Sequence, residues 1–125
     1  MSKKILIVDD ALFMRKLLKD LLEAAGYEVV GEAENGREGF EAYLKLKPDL
    51  VTMDITMPEV TGLESLQMII EADPSAQVIM CSAMGQEKMV TEAILRGAKG
   101  FLVKPFNREL VLSEVAKVLT EAKMP

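Results

Sequence analysis

Asp9 and Asp10 directly follow the apolar run Ile5-Leu6-Ile7-Val8, and Asp54 directly follows Leu50-Val51-Thr52-Met53. Ser82 ends the run Val78-Ile79-Met80-Cys81, and Lys104 ends Phe101-Leu102-Val103. If each run is a parallel strand, their C-terminal ends open onto one crevice, and these five side chains meet there. Two carboxylates about 4 Å apart repel by about 4 kcal/mol at an effective dielectric of ~20, so three need a cation among them. Mg²⁺ suits such a site because it takes oxygen ligands and keeps several waters; the backbone carbonyl of Thr56 can supply a further oxygen. Lys104 adds an ammonium that can pair with a carboxylate or a phosphoryl oxygen, and Ser82 adds a hydroxyl. The set reads as a cradle for phosphoryl transfer, with a nucleophile, a metal, a cation and a hydroxyl. Each residue alone has a plainer reading: an acid capping a helix, a solvated lysine, a turn serine. Two adjacent acids with a third on another strand end are much harder to explain that way.

The elements that must position these groups are visible in the hydrophobic pattern. Apolar runs near residues 5–8, 28–33, 50–53, 78–81 and 100–103 alternate with segments of helical period. The first helix is expected to bury Met14, Leu17, Leu18, Leu21 and Ala25, to expose Arg15, Lys16, Lys19 and Glu23, and to end at Gly26. The second covers about residues 37–46 and stops before Pro48. The third starts on a Thr61-Gly62-Leu63-Glu64 capping box and ends before Pro74. The fourth puts Val90, Ala93 and Ile94 on one face and closes at Gly97. The fifth starts near Asn107, with Val111, Val115, Val118, Leu119 and Ala122 inward. Strand then helix, repeated, implies an α/β domain with a parallel sheet and helices on both faces. The polar run at 28–32 suits an edge strand. Lys104 precedes Pro105, and an X-Pro bond adopts cis at little cost, in a turn that aims the lysine into the crevice.

The chain has 125 residues, half of them hydrophobic, with a net charge of −5. That is enough for one domain with a proper core, and residues 1–125 are expected to form it with no output domain. The acidic balance argues against nucleic acid and anionic membrane as partners. No apolar stretch is long enough to span a bilayer, and the lone Cys81 reads as a buried structural thiol. A cytoplasmic monomer is expected. Of nine methionines, most read as core filler, while Met84 and Met89 are flexible apolar side chains that would suit a partner groove.

Leu6-Ile7-Val8-Asp9-Asp10, Met53-Asp54-Ile55-Thr56-Met57-Pro58 with Gly62, Ser82-Ala83 and Val103-Lys104-Pro105-Phe106 together resemble the receiver domains of two-component response regulators, from about residue 4 to residue 122. Among receivers, the stretches around Asp10, Asp54 and Ser82 are most similar to stand-alone chemotaxis regulators. The resemblance implies a flavodoxin-like, doubly wound five-stranded sheet of order 2-1-3-4-5, an order carried over from the family. It implies Asp54 as phosphoacceptor from a histidine kinase, Mg²⁺ on Asp10, Asp54 and the Thr56 carbonyl, and Asp9 acting through water. Lys104 would pair with phosphoryl oxygens. Ser82 would swing toward the phosphate and let Phe101 turn inward. The implied partners are the kinase, a flagellar motor switch protein and a dedicated phosphatase. The family often has Thr and Tyr where this chain has Ser82 and Phe101; Phe101 keeps the ring but cannot hydrogen-bond, and ordinary strand packing is its other reading.

Two other classes fit less well. A phosphohydrolase of the haloacid-dehalogenase type needs a second acid two residues after its nucleophile, where this chain has Thr56, so an enzyme is not expected. A flavodoxin-like electron carrier needs a glycine- and hydroxyl-rich phosphate loop where Asp9-Asp10 stand. Within the receiver reading, a phosphorelay intermediate or a receiver cut from a larger regulator remains an alternative to the chemotaxis regulator.

Overall fold

The structure is a computed structural model and describes residues 2–121. Strand and helix alternate through the chain: β1 (Lys4–Val8), α1 (Leu12–Ala24), β2 (Glu28–Ala33), α2 (Gly36–Leu46), β3 (Leu50–Asp54), α3 (Gly62–Ala72), β4 (Val78–Ser82), α4 (Glu87–Leu95), β5 (Gly100–Val103) and α5 (Arg108–Glu121). The five strands pair in parallel in the order β2-β1-β3-β4-β5. The polar strand, β2, is at one edge, as its sequence suggests.

Every residue of β3 and β4 is buried, which explains why they read as unbroken apolar runs: helices cover both of their faces. On one face, Leu6, Val8, Val51, Met53 and Met80 pack against Tyr43 of α2, Leu66 and Ile69 of α3 and Ala93 of α4. On the other, Ile5, Ile7, Leu50, Ile79 and Cys81 pack against Leu18 and Leu22 of α1 and Val111, Val115 and Val118 of α5. Each fully buried Leu, Ile or Val contributes about 1.5–3 kcal/mol, so the two layers anchor the strands whose ends carry the polar groups.

Helix ends follow local chemistry. Gly26, at φ +94°, closes α1, with Tyr27 N–H donating to Leu22 O and Gly26 N–H to Glu23 O. Thr61 Oγ1 accepts from Glu64 N while Glu64 Oε1 accepts from Thr61 N, the reciprocal pair its sequence announces. Asn107 Oδ1 accepts from Leu110 N at the start of α5. Two helical faces differ from expectation. In α1 the fully buried residues are Leu18 and Leu22, while Leu17 and Ala25 are exposed and Met14 and Leu21 half-buried. In α4 only Ala93 is buried, Val90 is half-buried and Ile94 is 44% exposed. Ala122 lies outside the described residues.

Candidate functional site

The ends of β1, β3 and β5 bring the predicted groups together. Asp9 and Asp54 are buried and Asp10 is exposed, and each offers a carboxylate oxygen within 4.8 Å of the others. Lys104 Nζ lies 3.0 Å from Asp9 Oδ2 and 3.4 Å from Asp54 Oδ1. Its backbone N–H donates to Ser82 O at 2.8 Å, which holds the end of β5 against β4, and the Lys104–Pro105 bond is cis.

Asp9 is fixed by its neighbours. Its Oδ1 accepts from Ala11 N at 2.9 Å, and Arg15 Nη1 donates to its carbonyl oxygen at 2.6 Å. Arg15 also donates from Nε to Glu32 Oε1 at 3.1 Å on β2. Arg15 is therefore a half-buried brace of the crevice wall rather than part of the solvated face of α1. Asp9 Oδ2 is fully buried, with the Lys104 ammonium 3.0 Å away as its charged partner.

Asp54 is positioned by the close fit of Gly62. Gly62 N–H donates to Ile55 O at 2.9 Å, and any Cβ at this position would collide with the Asp54 carbonyl oxygen. Burial, reinforced by the charges of Asp9 and Asp10 and opposed by Lys104, raises the Asp54 carboxyl from 3.8 to about 6. Burial alone would lower the Lys104 ammonium, but Asp9 and Asp54 outweigh it, and its pKa is raised. The pocket therefore holds more negative charge than one lysine balances. Three acids converging within 4.8 Å, two of them buried, and a carboxyl pushed upward fit a hard divalent cation with oxygen ligands, as Mg²⁺ is.

Cys81 pairs with Asp54 in register and is fully buried. Burial, with the Asp54 charge, pushes its thiol well above the ordinary range, so it is an inert packing group. Ser82 is buried at the end of β4, and Thr56 is exposed two residues past Asp54. Phe101 is 46% exposed on β5 and faces a groove of about 670 Å³, shared with Ser82, Met84, Val90, Ile94 and Val103. Met84 is exposed beside this groove, whereas Met53, Met57 and Met80 fill the core.

Two polar side chains at the site gave no sequence signal of their role, because each ties together segments that are distant in the chain. Arg15 reaches Glu32, and Gln86 donates from Nε2 to Thr56 Oγ1 at 2.8 Å while its Oε1 accepts from Ala83 N at 2.6 Å.

A doubly wound sheet of this order with acids and a lysine at its strand ends defines a receiver-type domain, and residues 5–116 match the response regulator receiver domain. The chain belongs to that family. Among its relatives is the chemotaxis protein CheY of Thermotoga maritima, 58% identical over 94% of this chain and 98% of that protein. CheY of Bacillus subtilis is 56% identical over 95% and 99%. A CheY from Borrelia burgdorferi, solved in a CheX-CheY-BeF3-Mg complex, superposes with a TM-score of 0.89 at 40% identity, covering 93% of this chain and 88% of that one. This is a CheY-like receiver domain. Among the described residues no helix is long and apolar enough to cross a membrane.

Proposed function

We propose that this protein is a chemotaxis response regulator that accepts a phosphoryl group on Asp54 from a histidine kinase and signals by phosphorylation-dependent binding to a flagellar motor switch protein. The observation that carries this reading is the cluster of three carboxylates with one shared lysine at the strand ends.

A carboxylate nucleophile must be ionised, and with a pKa of about 6 Asp54 is about nine-tenths ionised at neutral pH. One Asp54 oxygen attacks the phosphorus of the phosphohistidine as the P–N bond breaks, and the departing imidazole keeps the electron pair and takes up a proton. Asp10, Asp54 and the Thr56 carbonyl would hold Mg²⁺, with Asp9 reaching it through water. Bound there, the ion neutralises charge building on the transferring oxygens. Lys104 passes from pairing with Asp54 to pairing with a phosphoryl oxygen, keeping Asp9 as its second partner. A phosphoryl group brings up to two negative charges and three acceptor oxygens, which Ser82 can meet with its hydroxyl. Movement of Ser82 opens room for Phe101, whose exposed ring is free to turn into the groove it borders. The face of α4, β5 and α5 changes accordingly, which is where the motor partner would read the state. The CheX-CheY complex supports a partner that engages the activated form, a role that a dedicated phosphatase would fill.

The test is treatment with Mg²⁺ and a small phosphodonor such as phosphoramidate, followed by intact-mass and peptide analysis. Wild type is expected to gain one phosphoryl group on Asp54, and Asp54→Asn none. Equal modification of the variant would remove Asp54 from its role. Loaded with beryllofluoride, wild type but not Asp54→Asn should bind the motor switch protein.

A further inference from the structure

The ladder between β3 and β4 stops at a definite point. Ile55 N–H donates to Cys81 O at 3.0 Å, and a continuing parallel ladder would next take Ala83 N–H onto Ile55 O. Ile55 O is instead occupied by Gly62 N–H at 2.9 Å. Ala83 N–H is thus the first donor past the end of the sheet, on the side of β4 that faces β3, and follows the buried Ser82. Gln86 fills that gap. Its Oε1 accepts from Ala83 N at 2.6 Å and its Nε2 donates to Thr56 Oγ1 at 2.8 Å, so one carboxamide joins the loop after β4 to the loop after β3.

The geometry points to Gln86 as a latch that occupies the Ala83 amide in the resting protein and must be displaced when Asp54 carries a phosphoryl group. This rests on the phosphoacceptor reading of Asp54. The carboxamide oxygen supplies Ala83 N–H with the acceptor that a phosphoryl oxygen would replace, and its tie to Thr56 holds the two loops in the resting arrangement. Because a group that stabilises only the resting state weakens whatever binds the other one, Gln86 lowers the affinity of the site for a phosphoryl mimic. It is a positioning residue that acts through Ala83 and Thr56.

Each hydrogen bond displaced corresponds to roughly a 2- to 12-fold effect. Gln86→Met keeps the length of the side chain and removes its acceptor and donor. It is expected to bind beryllofluoride, at fixed Mg²⁺, about 5-fold more tightly than wild type by ¹⁹F NMR titration. Gln86→Ala should act in the same direction. Gln86→Glu keeps an acceptor for Ala83 N–H and makes it charged, so it should bind more weakly than wild type. A loss of mere packing would weaken binding in all three, so the opposite signs separate the two roles. A second readout does not need the mimic: the Ala83 amide proton of unliganded wild type should be downfield and slow to exchange, and both features should vanish in Gln86→Met. If wild type takes up no beryllofluoride, the phosphoacceptor reading fails and the latch with it. If wild type binds and Gln86→Met binds equally or more weakly, the latch alone is overturned.

Discussion

Asp54→Asn should make the metal-free protein more stable at neutral pH, although it removes a buried charge that faces a lysine. The folded protein holds the Asp54 proton up to about pH 6, whereas the unfolded chain releases it near the ordinary 3.8. Between those values the native state binds more protons, so stability falls as pH rises through the window, and the penalty is complete above about pH 6. Two pH units correspond to about 3 kcal/mol at 1.36 kcal/mol per unit. The crevice is open on the side of exposed Asp10, so solvent screening leaves about 1–2 kcal/mol. Lys104 keeps Asp9 Oδ2 at 3.0 Å as a partner in the variant, so no buried cation is orphaned. For a chain of this length that stability is worth a rise of about 3–8 °C in Tm. Calorimetry in chelator at about pH 8 and about pH 4.5 tests it, with a clear gain at the higher pH and little at the lower. Equal Tm values at pH 8, or the same gain at both, would refute the claim that ionised Asp54 strains the fold.

Mg²⁺ should stabilise wild type by mass action, by about 2.7 kcal/mol at a hundredfold excess over Kd, and so raise its Tm, and Asp10→Asn should need markedly more metal for the same shift; a Tm that stays flat across the titration would count against the acid cluster as a metal site. Gly62→Ala should cost more than about 3 kcal/mol, because its Cβ would meet backbone, the Asp54 carbonyl, rather than a side chain that can move. Chemical denaturation checks that value, and a loss under 1 kcal/mol would mean that the loop after β3 yields more easily than its packing suggests.

The site was legible because its residues lie where two local signals meet, an apolar run ending and a polar residue beginning. Asp9, Asp54, Ser82 and Lys104 each mark that boundary, and a parallel topology brings such boundaries together whatever the sequence between them. The inward face of α1 was less legible. Leu17, Leu18, Leu21 and Leu22 form two adjacent pairs with apolar neighbours Leu12 and Phe13, so a helical period fits more than one stripe. The sheet selects Leu18 and Leu22, leaving Leu12 at 68% and Phe13 at 75% exposure. Arg15 and Gln86 were not legible at all as site residues. A long polar side chain declares no partner, and one partner of Arg15 lies 17 residues away in sequence and one of Gln86 lies 30. The requirement for glycine at 62 is likewise tertiary: the sequence shows a capping box, while the collision that excludes a Cβ comes from β3.

The same charge imbalance that costs stability explains why the proposed reaction should be tied to metal. The resting pocket has Asp54 pushed up in pKa, and among the described residues Lys104 is the cation in contact with both Asp9 and Asp54. A phosphoryl group on Asp54 would replace one negative charge with up to two in that pocket. Lys104 cannot compensate for this while it also neutralises Asp9, so without another cation the phosphorylated state is electrostatically worse than the resting state. A divalent cation, which Asp10, Asp54 and the Thr56 carbonyl would hold, would supply the positive charge that Lys104 cannot. The unfavourable resting arrangement is therefore what makes metal binding and phosphorylation mutually supportive.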